Sequence, residues 1–263
     1  MRLCILLTAC LLLFGCAARP TVPAAVDPLQ LPQIGGTLVA DLVLAGDYLL
    51  TADLQVPTGI TLTIKAGSRI FVQPSDSTKI DPEFLSRETE ILIRGNLYVD
   101  GSSAEPVIFK PVTDDPQAIL WSGLQLVEAG GVQLQHLIVE QAEAGVLCIN
   151  ASPVITGLQV RRSRYGMLLQ QQSAPQVYDS VFSTGEAGLF CWDQSAPRLQ
   201  NSRIIDQQEE GIYLGRGCRG VFVGNQVANT DRGVILPAGV SFAASNRVID
   251  NRLDFVRYPQ EAE

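Results

Sequence analysis

The residues best equipped to do chemistry stand in a column. Glu143, Arg164, Glu186, Glu209 and Asp231 recur at steps of 21 to 23, each two positions before a glycine: Gly145, Gly166, Gly188, Gly211 and Gly233. A carboxylate row suits acid–base catalysis on a glycosidic bond, which needs two carboxyl groups about 5–9.5 Å apart across a cleft. It also suits a cation, although Ca²⁺ needs about six to eight converging oxygens. Arg164 interrupts the row, and charges at a turn are ordinarily solvated. Glu143, Glu186, Glu209 and Asp231 are therefore the secondary candidate, an acidic site. The primary candidate lies on the other side of each glycine. The second residues after it are Leu147, Leu168, Phe190, Tyr213 and Ile235, with Trp192 beside Phe190. Strand side chains alternate between faces, so these point outward while their neighbours point in. An outward apolar ladder marks an interaction surface unless something covers it, and the segment Leu253–Tyr258 is a candidate cover. Its aromatic members also suit sugar rings.

Other chemistry is thinly supplied. His136 is the one histidine, set in Gln135-His136-Leu137, so a Ser-His-Asp arrangement cannot be built without forcing that residue into it. It reads as an edge or turn residue. Asp114-Asp115 reads as a loop pair, and Arg161-Arg162-Ser163-Arg164 as a basic turn; with Glu186 the latter could face a uronate. One His and two Met leave little for a metal centre, and no cofactor or metal is expected.

The element that positions these columns is a short repeat. Ser173-Ala174-Pro175 returns as Ser195-Ala196-Pro197, 22 residues on. Ile155, Val177, Leu199 and Val221 keep the same step, as do Val139, Val160, Phe182, Ile204 and Val227 to within one residue. Each period holds about three short strands broken by Gly, Asn, Asp or Ser. A unit this short buries no core alone and must stack on its neighbours. No recurring helical periodicity competes. The expected fold is all-β, a parallel solenoid.

The pattern Pro-x-Ile-x-Gly/Asn-x-x-Val followed by Gly-Ile-x-Leu resembles the right-handed parallel β-helix repeat family over roughly residues 55–250. The resemblance implies a single-stranded right-handed β-helix of about nine coils with about 22 residues each. Thr61–Ile70, Ile91–Gly101, Pro106–Phe109 and Trp121–Leu126 resemble the opening coils of such proteins. The body is assigned to 33–250, with 33–56 as N-terminal coil and cap, 75–89 as a loop insertion that breaks the period, and 251–263 as a polar tail or cap. Many β-helix proteins are polysaccharide lyases or hydrolases, but the Gly-His-Gly turn and Arg-x-Lys strand of the hydrolases are missing. The periplasmic β-helix proteins of copper-enzyme assembly are a third class, disfavoured by the scarce His and Met.

The chain's address is written at its start. Arg2 precedes an apolar run from Leu3 to Phe14 that is too short to span a membrane. Leu13-Phe14-Gly15-Cys16 resembles the lipobox of bacterial lipoproteins, with Leu7-Thr8-Ala9-Cys10 as the alternative. Residues 1–15 are then a signal peptide, Cys16 carries the lipid, and 16–32 is a tether. In a double-membraned bacterium, the same resemblance with Ala17 rather than Asp implies outer-membrane sorting. Acids number 27 against 19 bases, for a formal charge of -8, which argues against nucleic acid, whose binding needs a basic face.

Three cysteines lie in the body. Cys148 and Cys191 share one inward column two coils apart, about 9.6 Å at strand spacing, too far for a disulfide. Both are expected to be free and buried, with Cys218 at a turn as the reactive thiol. The sequence thus leads to an envelope lipoprotein with a non-catalytic binding or structural role towards a glycan or an envelope protein. The alternative is a polysaccharide-modifying enzyme working through the acidic site.

Overall fold

The computed structural model describes residues 27–74 and 87–259. Apart from a 3-10 turn at Pro28–Gln30, every regular element described is a strand. Neighbouring strands run parallel, as Tyr165–Gln170 does with Ala187–Cys191. Parallel neighbours cannot be joined by a hairpin, so the chain winds. Gln159–Arg161, Tyr165–Gln170 and Gln176–Tyr178 make three sides of one coil. Val181–Ser183, Ala187–Cys191 and Arg198–Gln200 repeat them in the next. We call these sides the first, second and third faces. The third is an 8-stranded sheet; the first two merge into an 18-stranded one. The merger occurs because Asp47–Val56 pairs through Asp47–Leu50 with Arg69–Val72 and through Leu54–Val56 with Glu90–Ile93. The result is a right-handed parallel β-helix of about 22 residues per coil and about ten coils, slightly longer than the repeat count implied.

The alternation within each strand builds the core. Val146, Met167, Leu189, Ile212 and Val234 form one buried inward column on the second face, and Cys148, Leu169, Cys191, Leu214 and Leu236 form the next. Val160, Phe182, Ile204 and Val227 fill the interior from the first face, and Ile155, Val177, Leu199 and Phe222 from the third. The glycine column explains how the faces close on one another. A Cβ on Gly166 would lie 2.3 Å from the Gly188 carbonyl oxygen and 2.6 Å from the Phe182 ring, and one on Gly188 would lie 2.3 Å from Ile204. No side chain fits at these glycine positions.

The corners need a left-handed residue each, and polar residues supply most of them. His136, Asp179 and Asn201 take φ of 44°, 50° and 53° between third and first faces. This matches the tolerance of Asn and Asp for that region and confirms His136 as a turn residue. Beneath the same corner runs a buried polar ladder. The amides of Leu158, Ser180, Ser202 and Asn225 donate to the side-chain oxygens of Ser180, Ser202, Asn225 and Asn246, at 2.9 to 3.1 Å. Backbone donors that the bend removes from the sheets are thereby satisfied, as burial requires.

Two expectations need correction. The segment after residue 250 is no tail: Leu253–Tyr258 pairs with Arg232–Pro237 as the second face of a further coil. Cys191 is not free, and Cys218 is not a reactive thiol. They form a disulfide with Cα atoms 6.1 Å apart. Cys148 is buried and free, whereas the partner of Cys191 comes from a corner and not from its own column. Cys218 follows Ser173 and Ser195 in step, and those serines are fully buried. The corner therefore turns position 218 inward, beside the end of the strand that carries Cys191. The signal peptide 1–15, Cys10, Cys16 and most of the 16–32 tether lie outside the described residues, as do 75–86 of the 75–89 insertion.

Candidate functional site

The outer side of the second face carries an unbroken register. Leu92, Gln125, Leu147, Leu168, Phe190, Tyr213, Ile235 and Val256 are successive partners. Leu147, Leu168, Phe190 and Tyr213 are half-buried on this surface. The Phe190 and Tyr213 rings stack at 4.9 Å and 14°. Trp192, just past its strand and 38% exposed, packs its ring 4.9 Å from Tyr213 and 6.1 Å from Phe190. Gly215 makes room for the indole, since a Cβ there would come 3.1 Å from it.

Two further aromatics join the strip. Tyr165 meets Phe190 edge-on at 5.3 Å. Tyr258 stacks on Tyr213 at 6.3 Å while its hydroxyl donates to the Leu214 carbonyl oxygen at 2.7 Å. Tyr165 stands just before Gly166, where the other coils carry Ala144, Ala187, Glu210 and Arg232, so no periodicity announced it. Tyr258 was hidden by the assignment of its segment to a tail. Its reach across the intervening coil accompanies the near-complete burial of Ile235, 5% exposed. Ile235 therefore does not belong to the open strip, and Tyr258 takes its place there. From the segment Leu253–Tyr258, Val256 stands beside Ile235 and the Tyr258 ring reaches Tyr213.

The strip has two polar flanks. On one side the corner residues Asn150, Gln171, Gln172, Asp193 and Gln194 line a groove of about 420 Å³. All five are exposed, with φ between 48° and 61°. On the other side stands the acidic column, which is not a free carboxylate row. Arg164 bridges Glu143 at 2.9 Å and Glu186 at 2.8 Å. Arg232 reaches Glu209 at 3.6 Å and Asp231 at 3.7 Å, and pairs closely with Glu210. Arg252 pairs with Asp231 and holds its carboxyl below the ordinary range. Glu210 moves the opposite way. Burial pushes its carboxyl up, only partly offset by Arg232. Arg162 is likewise engaged, by Glu140 at 2.8 Å. The arrangement is a ladder of ion pairs along the edge of the strip. Asp114-Asp115 is an exposed loop pair.

Where the strip meets the lower coils, a cavity of about 430 Å³ opens between Arg87, Glu88, Ser122, Gln125, Glu143, Ala144, Leu147, Tyr165 and Leu168. Gln125 is 2% exposed although it belongs to the outward column. Its amide nitrogen donates to the Ser122 carbonyl oxygen at 3.0 Å and hydroxyl at 2.8 Å. A carbonyl oxygen only accepts, so the amide cannot be flipped, and Oε1 is left buried without a partner. Such a group costs about 1–3 kcal/mol when unsatisfied.

The comparisons with known proteins bear on kinship. The family profile described as "Periplasmic copper-binding protein (NosD)" matches residues 84–257. The chain belongs to this family. Its periplasmic description agrees with an envelope location, as does a disulfide in the body, since such bonds persist in oxidising compartments. No curated protein matches the sequence. Among solved structures, a mutant of the periplasmic alginate epimerase AlgG is similar with a TM-score of 0.41 and 11% identity, covering 75% of this chain and 58% of that one. The A-module of the Azotobacter vinelandii mannuronan C-5 epimerase AlgE6 has a TM-score of 0.42 and 14% identity, covering 85% and 70%. This chain thus spans little more than half the length of the first.

Scarce His and Met had set the copper class aside; kinship holds nonetheless. Copper itself is a separate test, and the donors do not fit it. His136 has its ring against Gly157, where a Cβ would come 2.5 Å from Nδ1. Met167 is fully buried in the core, Cys148 is buried there too, and the other two body cysteines are bonded to each other. Among the described residues no group of three or more His, Cys, Asp or Glu is placed to hold a metal. Copper favours imidazole, thiolate and thioether, and the described residues offer no cluster of them.

Proposed function

We propose that this β-helix is a non-catalytic glycan-binding protein of the cell envelope, held to the membrane by a lipid on Cys16 and using the outer strip of its second face. The observation that carries the reading is the surface row of the half-buried rings Tyr165, Phe190, Tyr213 and Tyr258 with the exposed ring of Trp192. Aromatic side chains join an apolar body to a polar tip and lose little conformational entropy on binding. Sugar rings present C–H faces to such a surface and hydroxyls to its margins. The groove of Asn150, Gln171, Gln172, Asp193 and Gln194 supplies donors and acceptors there. The ion-pair ladder supports binding over catalysis, because each member of the acidic column already has a guanidinium partner. The lipid on Cys16 rests on the Leu13-Phe14-Gly15-Cys16 pattern, and an outer-membrane position on Ala17 after it.

The test is a glycan array probed with the wild-type chain and a Phe190→Ala/Trp192→Ala/Tyr213→Ala variant, read beside product release. Binding by the wild type that the triple variant loses, without turnover, is expected. Product release would move the reading to an enzyme. A wild type that binds nothing on the array would leave the strip without a glycan role.

A further inference from the structure

We infer that the cavity around Arg94 is a subsite for one singly charged oxyanion, a carboxylate or a sulfate ester, on the glycan bound along the strip. The inference rests on the glycan reading and names the class of sugar within it, an acidic one. Half-buried arginines in this chain come with a counter-charge. Arg69 meets the carboxylate of Asp47, Arg161 and Arg162 that of Glu140, and Arg232 that of Glu210. Arg94 is half-buried too, yet among the described residues its guanidinium has no partner. Its nitrogens are not among the unpartnered atoms sealed from solvent, so they stay open to a ligand. Arg94 lines a cavity of about 610 Å³ with Thr37, Gln55, Thr58 and Leu92, and it is the single charged residue of that lining. The size is that of a small-molecule site, about 300–1,000 Å³. Thr37 Oγ1 and Gln55 Oε1 lie 3.1 Å apart in a hydrogen bond. Whichever way the amide is turned, one donor is left over, Gln55 Nε2 or the Thr37 hydroxyl. A guanidinium is a planar fork of donors suited to oxyanions. Its one charge balances a monoanion better than a phosphate monoester, which carries about −1.5 to −2.

The register ties this cavity to the strip. Arg94 follows Leu92 by two positions, as Trp192 follows Phe190. Strand pairing then runs a second outward column through Arg94, Val127, Ile149, Gln170 and Trp192. Four strand steps, about 19 Å, separate the guanidinium at one end from the indole at the other. Val127, Ile149 and Gln170 between them are half-buried and uncharged. A glycan with one ring on Trp192 therefore reaches Arg94 along a neutral track. The other charges lie off that track. The ion-pair ladder stands at the opposite margin. Glu128 is exposed at the corner one coil from Arg94 and is not part of the lining, and Asp193 adjoins Trp192 at the far end. The cavity beside Gln125 also holds an arginine, Arg87, but with Glu88 and Glu143 in the same lining, so its balance does not favour an anion. The net charge of -8 acts from further away, where salt screens it beyond about 8 Å.

Titration calorimetry on the full chain tests this with two matched pairs of oligosaccharides. One pair is galacturonate oligomers and the same oligomers methyl-esterified; the other is sulfated galactose oligomers and their desulfated counterparts. The wild type is expected to bind the acidic member of at least one pair about tenfold tighter than its neutral mate, the equivalent of one charge-assisted hydrogen bond. The pair that shows the gap identifies the oxyanion. The gap should narrow as salt is raised. Arg94→Gln should bring the two affinities together, and Arg94→Lys, which keeps the charge without the fork, should retain part of the gap. Trp192→Ala should weaken acidic and neutral oligomers alike and leave the gap in place, which separates the strip from the subsite. Equal affinities within both pairs, or a gap that survives Arg94→Gln in folded protein, overturns the inference and leaves the glycan reading standing. A wild type that binds no oligosaccharide, in these pairs or on the array, removes the reading and the inference together.

Discussion

Phe190 and Tyr213 are strand partners on adjacent coils, and their rings lie 4.9 Å apart and within 14° of parallel. The stack follows from the fold: a 22-residue period puts like positions at the spacing of neighbouring strands, about 4.8 Å, near the separation of offset stacked rings. Removal of either ring should therefore cost more than its own buried area. A double-mutant cycle of Phe190→Ala and Tyr213→Ala, read by urea unfolding, is expected to give a coupling of about 0.5–1.5 kcal/mol. Strict additivity would mean that the rings share a face without supporting one another.

Gly188 marks the corner on which that geometry depends. A Cβ there meets Ile204 at 2.3 Å and the Gly211 carbonyl oxygen at 2.5 Å, one a core side chain and the other the next coil's backbone. Neither can yield without moving the stack. Gly188→Ala should lower stability by about 1–3 kcal/mol, the usual cost of overpacking. Its chemical denaturation midpoint would shift, with the larger change in the unfolding rate. A neutral outcome would show that the two faces meet less closely than they do here.

These two positions also divide what sequence could supply from what it could not. Gly188, its column mates and the outward Phe190 and Tyr213 were legible because each repeats at a near-constant step, and period plus alternation assigns a face to every residue. Tyr165, Tyr258 and Gln125 were not legible because each departs from its column. Tyr165 stands where other coils carry unlike residues, Tyr258 leans across a coil, and Gln125 is a polar residue buried on the outer side. The acidic column was visible as a list of residues but not as an ion-pair ladder, since side-chain direction at a corner does not follow strand parity. The Cys191–Cys218 bond escaped for the same reason: it joins a strand to a corner.

That bond makes a clear chemical forecast. Cys148 is enclosed in the core, where burial pushes its thiol well up from the ordinary range, and thiolate is the reactive form. Alkylation followed by peptide mapping should leave all three body cysteines unlabelled in the native protein. Denaturation alone should expose Cys148, and reduction together with denaturation should expose Cys191 and Cys218. Cys191→Ser/Cys218→Ser is expected to reduce stability by about 2–4 kcal/mol and to loosen the corner beside Trp192. Label on native Cys218 would show that the corner does not turn it inward.

Glu210 gives the pH dependence its sign. Its folded pKa lies above the unfolded value, first because burial disfavours the carboxylate and despite the attraction of Arg232. The native state then holds the proton more tightly than the unfolded one. The linked stability is present below the unfolded pKa and is lost as pH rises through the raised folded value. Glu210→Gln keeps the shape and removes the charge. Arg232 retains Glu209 at 3.6 Å and Asp231 at 3.7 Å as partners. The variant should therefore melt above the wild type at pH 8, and the difference should shrink as pH falls below the unfolded value of 4.5, where Glu210 becomes neutral in both states. Asp231 works in the opposite sense: its depressed carboxyl loses its contribution as pH falls. A Glu210→Gln melting temperature below the wild type at pH 8 would mean that the pair with Arg232 outweighs the desolvation of the carboxylate.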